Sequence, residues 1–186
     1  MTVAVVIADA NILFSRTLRD YVLYGDDAGG FEVRWSPAIL AEMSKNLRAK
    51  RGMSQEQTDR LEELMNAFLD DALVEVRARD EAAVESADMD PKDRHVLAAA
   101  LSAGADIVLT DNVKHFPREW MAQRRIVLLT SAEFFVRVLD EAPDAMRAAH
   151  ERTVASTPKS EDEVLEVLER IVGTDVVDQL RTVLGK

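Results

Sequence analysis

Three short aliphatic runs set the terms on which this chain can fold: Val3-Ala-Val-Val-Ile-Ala8, Ile107-Val-Leu109 and Ile126-Val-Leu-Leu129. None of them alternates with polar residues. Such a run reads as a strand buried on both faces, and that environment arises where helices cover both sides of a parallel sheet. Between the runs the pattern changes to helical. A helix is predicted over 12–24, with Leu13, Leu18, Val22 and Leu23 as its apolar stripe. A further strand, Phe31 to Trp35, precedes Ser36-Pro37, a serine cap followed by proline at the first helical position. That helix ends near Gly52. Ser54 and Gln57 have capping-box spacing and open a helix to about Asp70. Leu73 to Val76 reads as a short strand and 80–88 as a short helix. Asp90-Pro91 opens a strong helix over 91–103, stopped by Gly104, and Ser131 caps the helix after the last strand.

Strands alternating with helices over residues 1–138 predict an α/β/α sandwich with a mostly parallel central sheet. Beyond Pro143 only helical patterns remain, at about 143–155, 161–172 and 174–184. Residues 143–186 are therefore expected to form a helical C-terminal extension. With 186 residues, 47% of them apolar, the chain can bury a sizeable core. It has no cysteine, which excludes disulfides and thiolate metal sites. The apolar run at the start is too short to span a bilayer and lacks a basic flank. A soluble, cytoplasmic protein with no membrane attachment is expected.

The net charge is −11, unfavourable for phosphate binding taken as a whole. Its distribution is uneven. Arg34, Lys45, Arg48, Lys50 and Arg51 face only Glu42 within residues 34–51, and Lys114, Arg118, Arg124 and Arg125 face only Glu119 within 112–125. Two basic stretches thus lie within an acidic chain, although ordinary solvated faces would look the same.

Ligands in open parallel sheets bind beyond the carboxyl ends of strands. Asp9 and Asn11 follow one strand; Asp111 and Asn112 follow another. Turn chemistry alone would also put Asp and Asn there. Asp93 heads the apolar stripe Val96, Leu97, Ala100 and Leu101, where an unpaired carboxylate is costly; an acid that only complements the helix dipole is the other reading. Glu42 lies beside the core face marked by Ile39, Leu40, Met43 and Leu47, and could equally be a surface glutamate paired with Lys45. Taken together, four acids suit a hard divalent cation with oxygen ligands, and such a cation equips a site for phosphodiester hydrolysis. No phosphate-binding glycine loop is present, and His95, His115 and His150 do not form an HxxxH zinc helix.

In order, Val-Ile-Ala-Asp9-Ala-Asn11, Pro37-Ala-Ile-Leu-Ala-Glu42-Met-Ser-Lys-Asn-Leu47, Asp90-Pro-Lys-Asp93-Arg-His-Val-Leu and Ile-Val-Leu-Thr-Asp111-Asn-Val-Lys-His-Phe-Pro117 resemble the four acidic motifs of PIN domains. The resemblance is nearest to the VapC-type toxin branch and covers residues 1 to about 138. It implies a PIN-like sandwich and a metal-dependent endoribonuclease, the toxin of a type II toxin-antitoxin system, using magnesium or manganese. It also implies a cognate antitoxin partner and a homodimer. Carried over, Asp9, Glu42 and Asp93 are metal-centred carboxylates, and Asn11 orients the first acid or a water. The fourth position falls on either the Asp111 carboxylate or the Asn112 amide, because the spacing departs from the common pattern. Lys45, Arg48, Lys50, Arg51, Lys114, His115 and Arg118 are the candidates for holding RNA, and Trp35 and Trp120 for stacking on bases. An acidic-pocket phosphatase and a non-catalytic PIN-like interaction module are the alternative readings.

Overall fold

The computed structural model describes residues 3–185, so the outer limits expected for the two parts, residues 1 and 186, lie outside the described residues. Four strands, β1 (Val5–Ala8), β2 (Glu32–Arg34), β3 (Ile107–Leu109) and β4 (Val127–Leu129), form one sheet in the order β2-β1-β3-β4. Every pairing is parallel. Val6 stands opposite Val33 on one side and Ile107 on the other, and Leu109 stands between Ala8 and Leu129. Val6, Ile7, Ala8 and Val108 are wholly inaccessible to solvent. Burying each Val or Ile contributes roughly 1.5–3 kcal/mol, which explains why β1 and β3 carry no polar alternation. The expectation of burial on both faces fails for β4, an edge strand whose Val127 is 46% exposed.

The chain leaves β1 toward β2 through α1 (Ala10–Phe14) and α2 (Arg16–Asp27). It leaves β2 in the other direction, past β1 to β3, through α3 (Pro37–Arg51), α4 (Gln55–Phe68), α5 (Ala78–Val84) and α6 (Arg94–Ala103). Right-handed crossovers put these two connections on opposite faces of the sheet. The direction of winding therefore reverses between β1 and β3, and the crevice beyond their carboxyl ends is the point where α/β sheets take ligands. Asp9 and Thr110 stand there.

Several elements differ from the sequence-based expectation, each for a local reason. The helix predicted over 12–24 is two helices. Asp9 caps α1 by accepting from the Ala10 N–H at 2.6 Å, and Ser15, in extended conformation, ends α1 and caps α2. The strand predicted at 73–76 is reduced to one bridge between Trp35 and Leu73, because β2 is only three residues long and offers its outer edge no further. Residues 91–93 form a 3-10 turn before α6. Thr130, rather than Ser131, caps α8 (Ser131–Glu141) in a capping box with Glu133. That frees the Ser131 hydroxyl for another partner. A short helix not foreseen, α7 (Arg118–Ala122), joins β3 to β4.

Beyond α8 come α9 (Pro143–Ala155), α10 (Glu161–Val172) and α11 (Thr174–Leu184). They are packed onto the sandwich: α9 lies along α2, and α10 and α11 lie against α8. A Cβ on Gly30 would come within 2.8 Å of the Ala145 Cβ, so the loop before β2 and the start of α9 meet with no room for a side chain. Tyr21 of α2 donates its hydroxyl to His150 Nδ1 of α9 at 2.5 Å, and His150 Nε2 lies 2.9 Å from Glu161 Oε1 of α10. A neutral imidazole with its proton on Nε2 satisfies both contacts. Burial pushes the Tyr21 hydroxyl pKa up, so it keeps the proton that this tautomer of His150 accepts. Among the described residues no helix is long and apolar enough to cross a membrane.

Candidate active site

Asp9 is the anchor. Only 6% of it is exposed. Its Oδ1 accepts from the Ala10 N–H, and its Oδ2 accepts from Asn11 Nδ2 and from the Thr110 hydroxyl, each at 2.7 Å. Thr110 is itself fully buried and also accepts from Asn11 Nδ2 at 2.8 Å and from the Asn112 N–H at 3.1 Å. Asn11 Oδ1 in turn accepts from the Asp111 N–H at 3.1 Å. The ends of β1 and β3 are thus tied together by side chains as well as by the sheet, and the Asp9 carboxylate has one fixed orientation.

Two further acids stand near it on separate elements. Glu42, midway along α3, lies with Oε2 3.2 Å from His95 Nε2. Asp93, in the turn before α6, lies with Oδ2 3.2 Å from His115 Nδ1. Their charges reach one another unequally, and Glu42 feels both of the others. Burial first, then the neighbouring Asp9 and Asp93 charges, raise the Glu42 pKa, with His95 and Lys45 opposing. Asp9 is raised mainly by burial, with Asp93 adding to it, while the Thr110 and Ala10 hydrogen bonds and His95 pull it down. Carboxylates that oppose one another's ionisation in a partly dry pocket become more stable when a cation offsets them.

The two histidines differ in freedom. His95 Nδ1 lies 2.7 Å from the Lys92 carbonyl and donates to it, which turns Nε2 toward Glu42. Nε2 is enclosed, close to the carboxylate, but makes no well-formed hydrogen bond. His115 is half exposed.

Asp111 is placed differently. Its Oδ1 accepts from the Ser131 N–H at 2.8 Å and from the Ser131 hydroxyl at 2.9 Å, and Oδ2 accepts from the same hydroxyl at 3.1 Å. The carboxylate is held at the start of α8, and its charge is not among the causes that shift Asp9 or Glu42. Sequence reasoning weighed Asp111 and Asn112 for the fourth position and passed over Thr110, the residue of that turn that touches Asp9. It also gave His95 no role. A threonine one residue past a buried strand, with a polar group due opposite it across the sheet, was the available signal for Thr110.

The donor set fits a hard divalent cation: carboxylate oxygens from three elements, no sulfur, and charges that need neutralising. Among the described residues no three acidic or imidazole side chains form a ready-made metal cage. Glu42 and Asp93 are each turned toward an imidazole instead.

The basic candidates fall into distinct groups. Lys45 is exposed on α3 near Glu42. Arg48 is partly buried and donates to the Thr58 hydroxyl at 2.9 Å, joining α3 to α4. Lys50 and Arg51 lie over the Phe14 ring. Arg34 is held by Glu32 and Asp71. Lys114, His115 and Arg118 are exposed on the segment after β3. Trp35 is fully buried and donates to Asn66 Oδ1, which rules out base stacking there; Trp120 is half-buried.

A recess of about 940 Å³ lies apart from the acids, between α2, α4 and α10, with Leu64, Met65, Phe68 and Ile171 among its apolar walls.

Over 57 residues the chain is 40% identical to "Putative ribonuclease VapC50" of Mycobacterium tuberculosis (strain ATCC 25618 / H37Rv). That stretch is 31% of this chain, and the chain spans about a third, 34%, of the curated relative it matches. No solved structure matches. The family model for the PIN domain matches residues 5–114, from the first residue of β1 to the turn beyond Asp111, and with a four-stranded parallel sheet whose switch point gathers Asp9, Glu42 and Asp93, the chain belongs to the PIN-domain family.

Proposed function

We propose that this protein is a metal-dependent endoribonuclease, the toxin of a type II toxin-antitoxin system, and that Asp9, Glu42 and Asp93 hold its magnesium or manganese. The observation that carries the reading is that Asp9, buried at the end of β1, Glu42 of α3 and Asp93 before α6 lie near one another at the switch point of the sheet, close enough that Asp9 and Asp93 both raise the Glu42 pKa. A bound divalent cation supplies a Lewis acid for the scissile phosphate and a water of lowered pKa.

The chain's own residues do the rest. Thr110 and Asn11 hold Asp9 in one rotamer. Asn112, whose N–H is anchored on Thr110, and Asp111, held on Ser131, line the rim and position water or substrate. His95 and His115 keep Glu42 and Asp93 oriented, and His115, being half exposed, is able to meet the RNA phosphate. Lys45, Lys114 and Arg118 hold the RNA backbone; Arg48, Lys50 and Arg51 are further from the acids along α3. A cognate antitoxin would silence the enzyme by binding this chain, and a homodimer in the cytoplasm is the expected working form.

The test is cleavage of single-stranded RNA by the full chain with magnesium or manganese, with EDTA, and after substitution. Asp9→Asn and Asp93→Asn are each expected to lower the rate by roughly 10²-fold or more, equivalent to about 3 kcal/mol of barrier. Asp111→Asn, whose carboxylate serves the α8 terminus, is expected to cost about tenfold or less. Wild-type cleavage by both Asp9→Asn and Asp93→Asn overturns the proposal. Full folding with no cleavage under any metal favours the interaction-module reading instead.

A further inference from the structure

We propose that Arg124, set over the Trp120 ring, is a preformed platform on which one base of single-stranded RNA stacks as the strand passes the acidic cluster. This rests on the ribonuclease reading and specifies how that substrate is gripped.

The geometry is specific. The Arg124 guanidinium carbon lies 3.6 Å from the centre of the Trp120 ring system. Arg124 Nη1 donates to the Trp120 carbonyl at 3.0 Å. Ring and hydrogen bond together fix the guanidinium plane, while Arg124 itself remains exposed. Beneath it the indole is fixed too, because Trp120 Nε1 donates to the Ser86 hydroxyl at 3.2 Å. A guanidinium plane open on one side is a surface on which nucleobases stack, and here its rotamer freedom is already spent. The same is not true of a lysine, whose compact charge offers no plane.

The surroundings suit a nucleic-acid strand. Lys114, Arg118, Arg124 and Arg125 are all exposed on residues 112–125, against Glu119 on the same stretch, Glu133 of α8 beside Arg118, and Glu85 and Asp88, exposed on the loop of Ser86. Residues 112–125 are a basic stretch on a protein of net charge −11. The platform is also tied to the acids from two directions. His115, which pairs with Asp93, precedes Trp120 by five residues, a reach of at most about 18 Å. Ser86, under the indole, belongs to the loop that leads into the turn carrying Asp93.

The experiment is titration of the full chain with a short single-stranded RNA in EDTA, read by tryptophan fluorescence. Trp35 is buried out of reach of RNA, so a change in emission on adding RNA belongs to Trp120. Quenching is expected for the wild type. Arg124→Lys, which keeps the charge, is expected to weaken binding roughly tenfold with an unchanged salt slope, and an oligonucleotide with one abasic site in the right register to lose the quench. Arg118→Gln is expected to lower the salt slope and keep the quench. Wild-type affinity in Arg124→Lys, or equal quenching by every abasic oligonucleotide, overturns the platform. Cleavage without any quench overturns the platform while leaving the ribonuclease reading intact; neither binding nor cleavage removes both.

Discussion

Replacing Tyr21 by Phe deletes one oxygen from the interior and tests whether the C-terminal helices are bound into the sandwich by a polar contact as well as by packing. Tyr21 and His150 are each 1% exposed, so neither can turn to water for a substitute partner. Without the Tyr21 hydroxyl, His150 Nδ1 is left as a buried acceptor with no donor. Such a group costs roughly 1–3 kcal/mol, and about 2 kcal/mol is expected here. For a chain of 186 residues that corresponds to about 4–8 °C in Tm. His150→Leu, similar in volume, leaves the Tyr21 hydroxyl unpaired in turn and should cost a comparable amount. The double variant removes both polar atoms. It is expected to be less destabilised than the sum of the singles by about 1–2 kcal/mol, because no unpaired partner remains. Glu161, whose carboxylate is partly open to solvent, stays hydrated in each case. The assay is equilibrium urea unfolding at neutral pH, followed by far-ultraviolet circular dichroism and by tryptophan fluorescence. Coincident curves are expected from both probes if α9 and α10 unfold with the sheet. A Tyr21→Phe variant within about 0.5 kcal/mol of wild type, or strict additivity in the double variant, would refute the reasoning.

Other consequences are equally open to measurement. Asp26 is raised from 3.8 to about 6 by burial, with Asp71 and Glu32 adding to the effect and the Val33 N–H and Arg34 opposing it. A carboxyl raised on folding stabilises fully below its unfolded pKa, and that contribution is lost as pH rises through about 6. Asp26→Asn should therefore gain about 1 kcal/mol at neutral pH, after discounting for its partial exposure, and nothing below pH 4; an equal gain at both pH values contradicts the assignment. Thr110→Val keeps the shape of the side chain but removes the donor to Asp9, so kcat for RNA cleavage should fall roughly 10–100-fold, with Thr110→Ser restoring most of it. An unchanged kcat in Thr110→Val would mean that Asp9 needs no such anchor. Gly30→Ala must push back α9 at Ala145 and should lose about 1–3 kcal/mol in urea unfolding, whereas no loss would show that the loop yields freely.

The reach of local sequence signals can be judged from individual residues. Capping serines, Pro37 and the αL glycines Gly52 and Gly104 mark helix ends through hydrogen bonds and dihedrals confined to a few neighbouring residues, so α3, α4 and the end of α6 were legible. The three helices of the C-terminal part were legible for the same reason, since Pro143, Ser160 and the glycines at 173 and 185 punctuate them. The strand expected at 73–76 failed because pairing depends on what lies alongside, and β2 is too short to support it. Ser131 lost the cap position to Thr130 because one residue of register decides which hydroxyl meets the N–H three residues on.

The amino-acid order alone determined the buried runs of β1 and β3, most helix boundaries and the carboxylates at the ends of those two strands, because these follow from the hydrophobic pattern and from capping contacts along the chain. Tertiary structure alone decided that Thr110 clasps Asp9 across a separation of 101 residues, that Asp111 turns to Ser131, and that His95 and His115 meet Glu42 and Asp93. Those partners are set by the strand order and by the winding reversal between β1 and β3, which bring distant side chains within hydrogen-bonding range. No local pattern encodes that proximity; it exists only once the sheet has closed around its core.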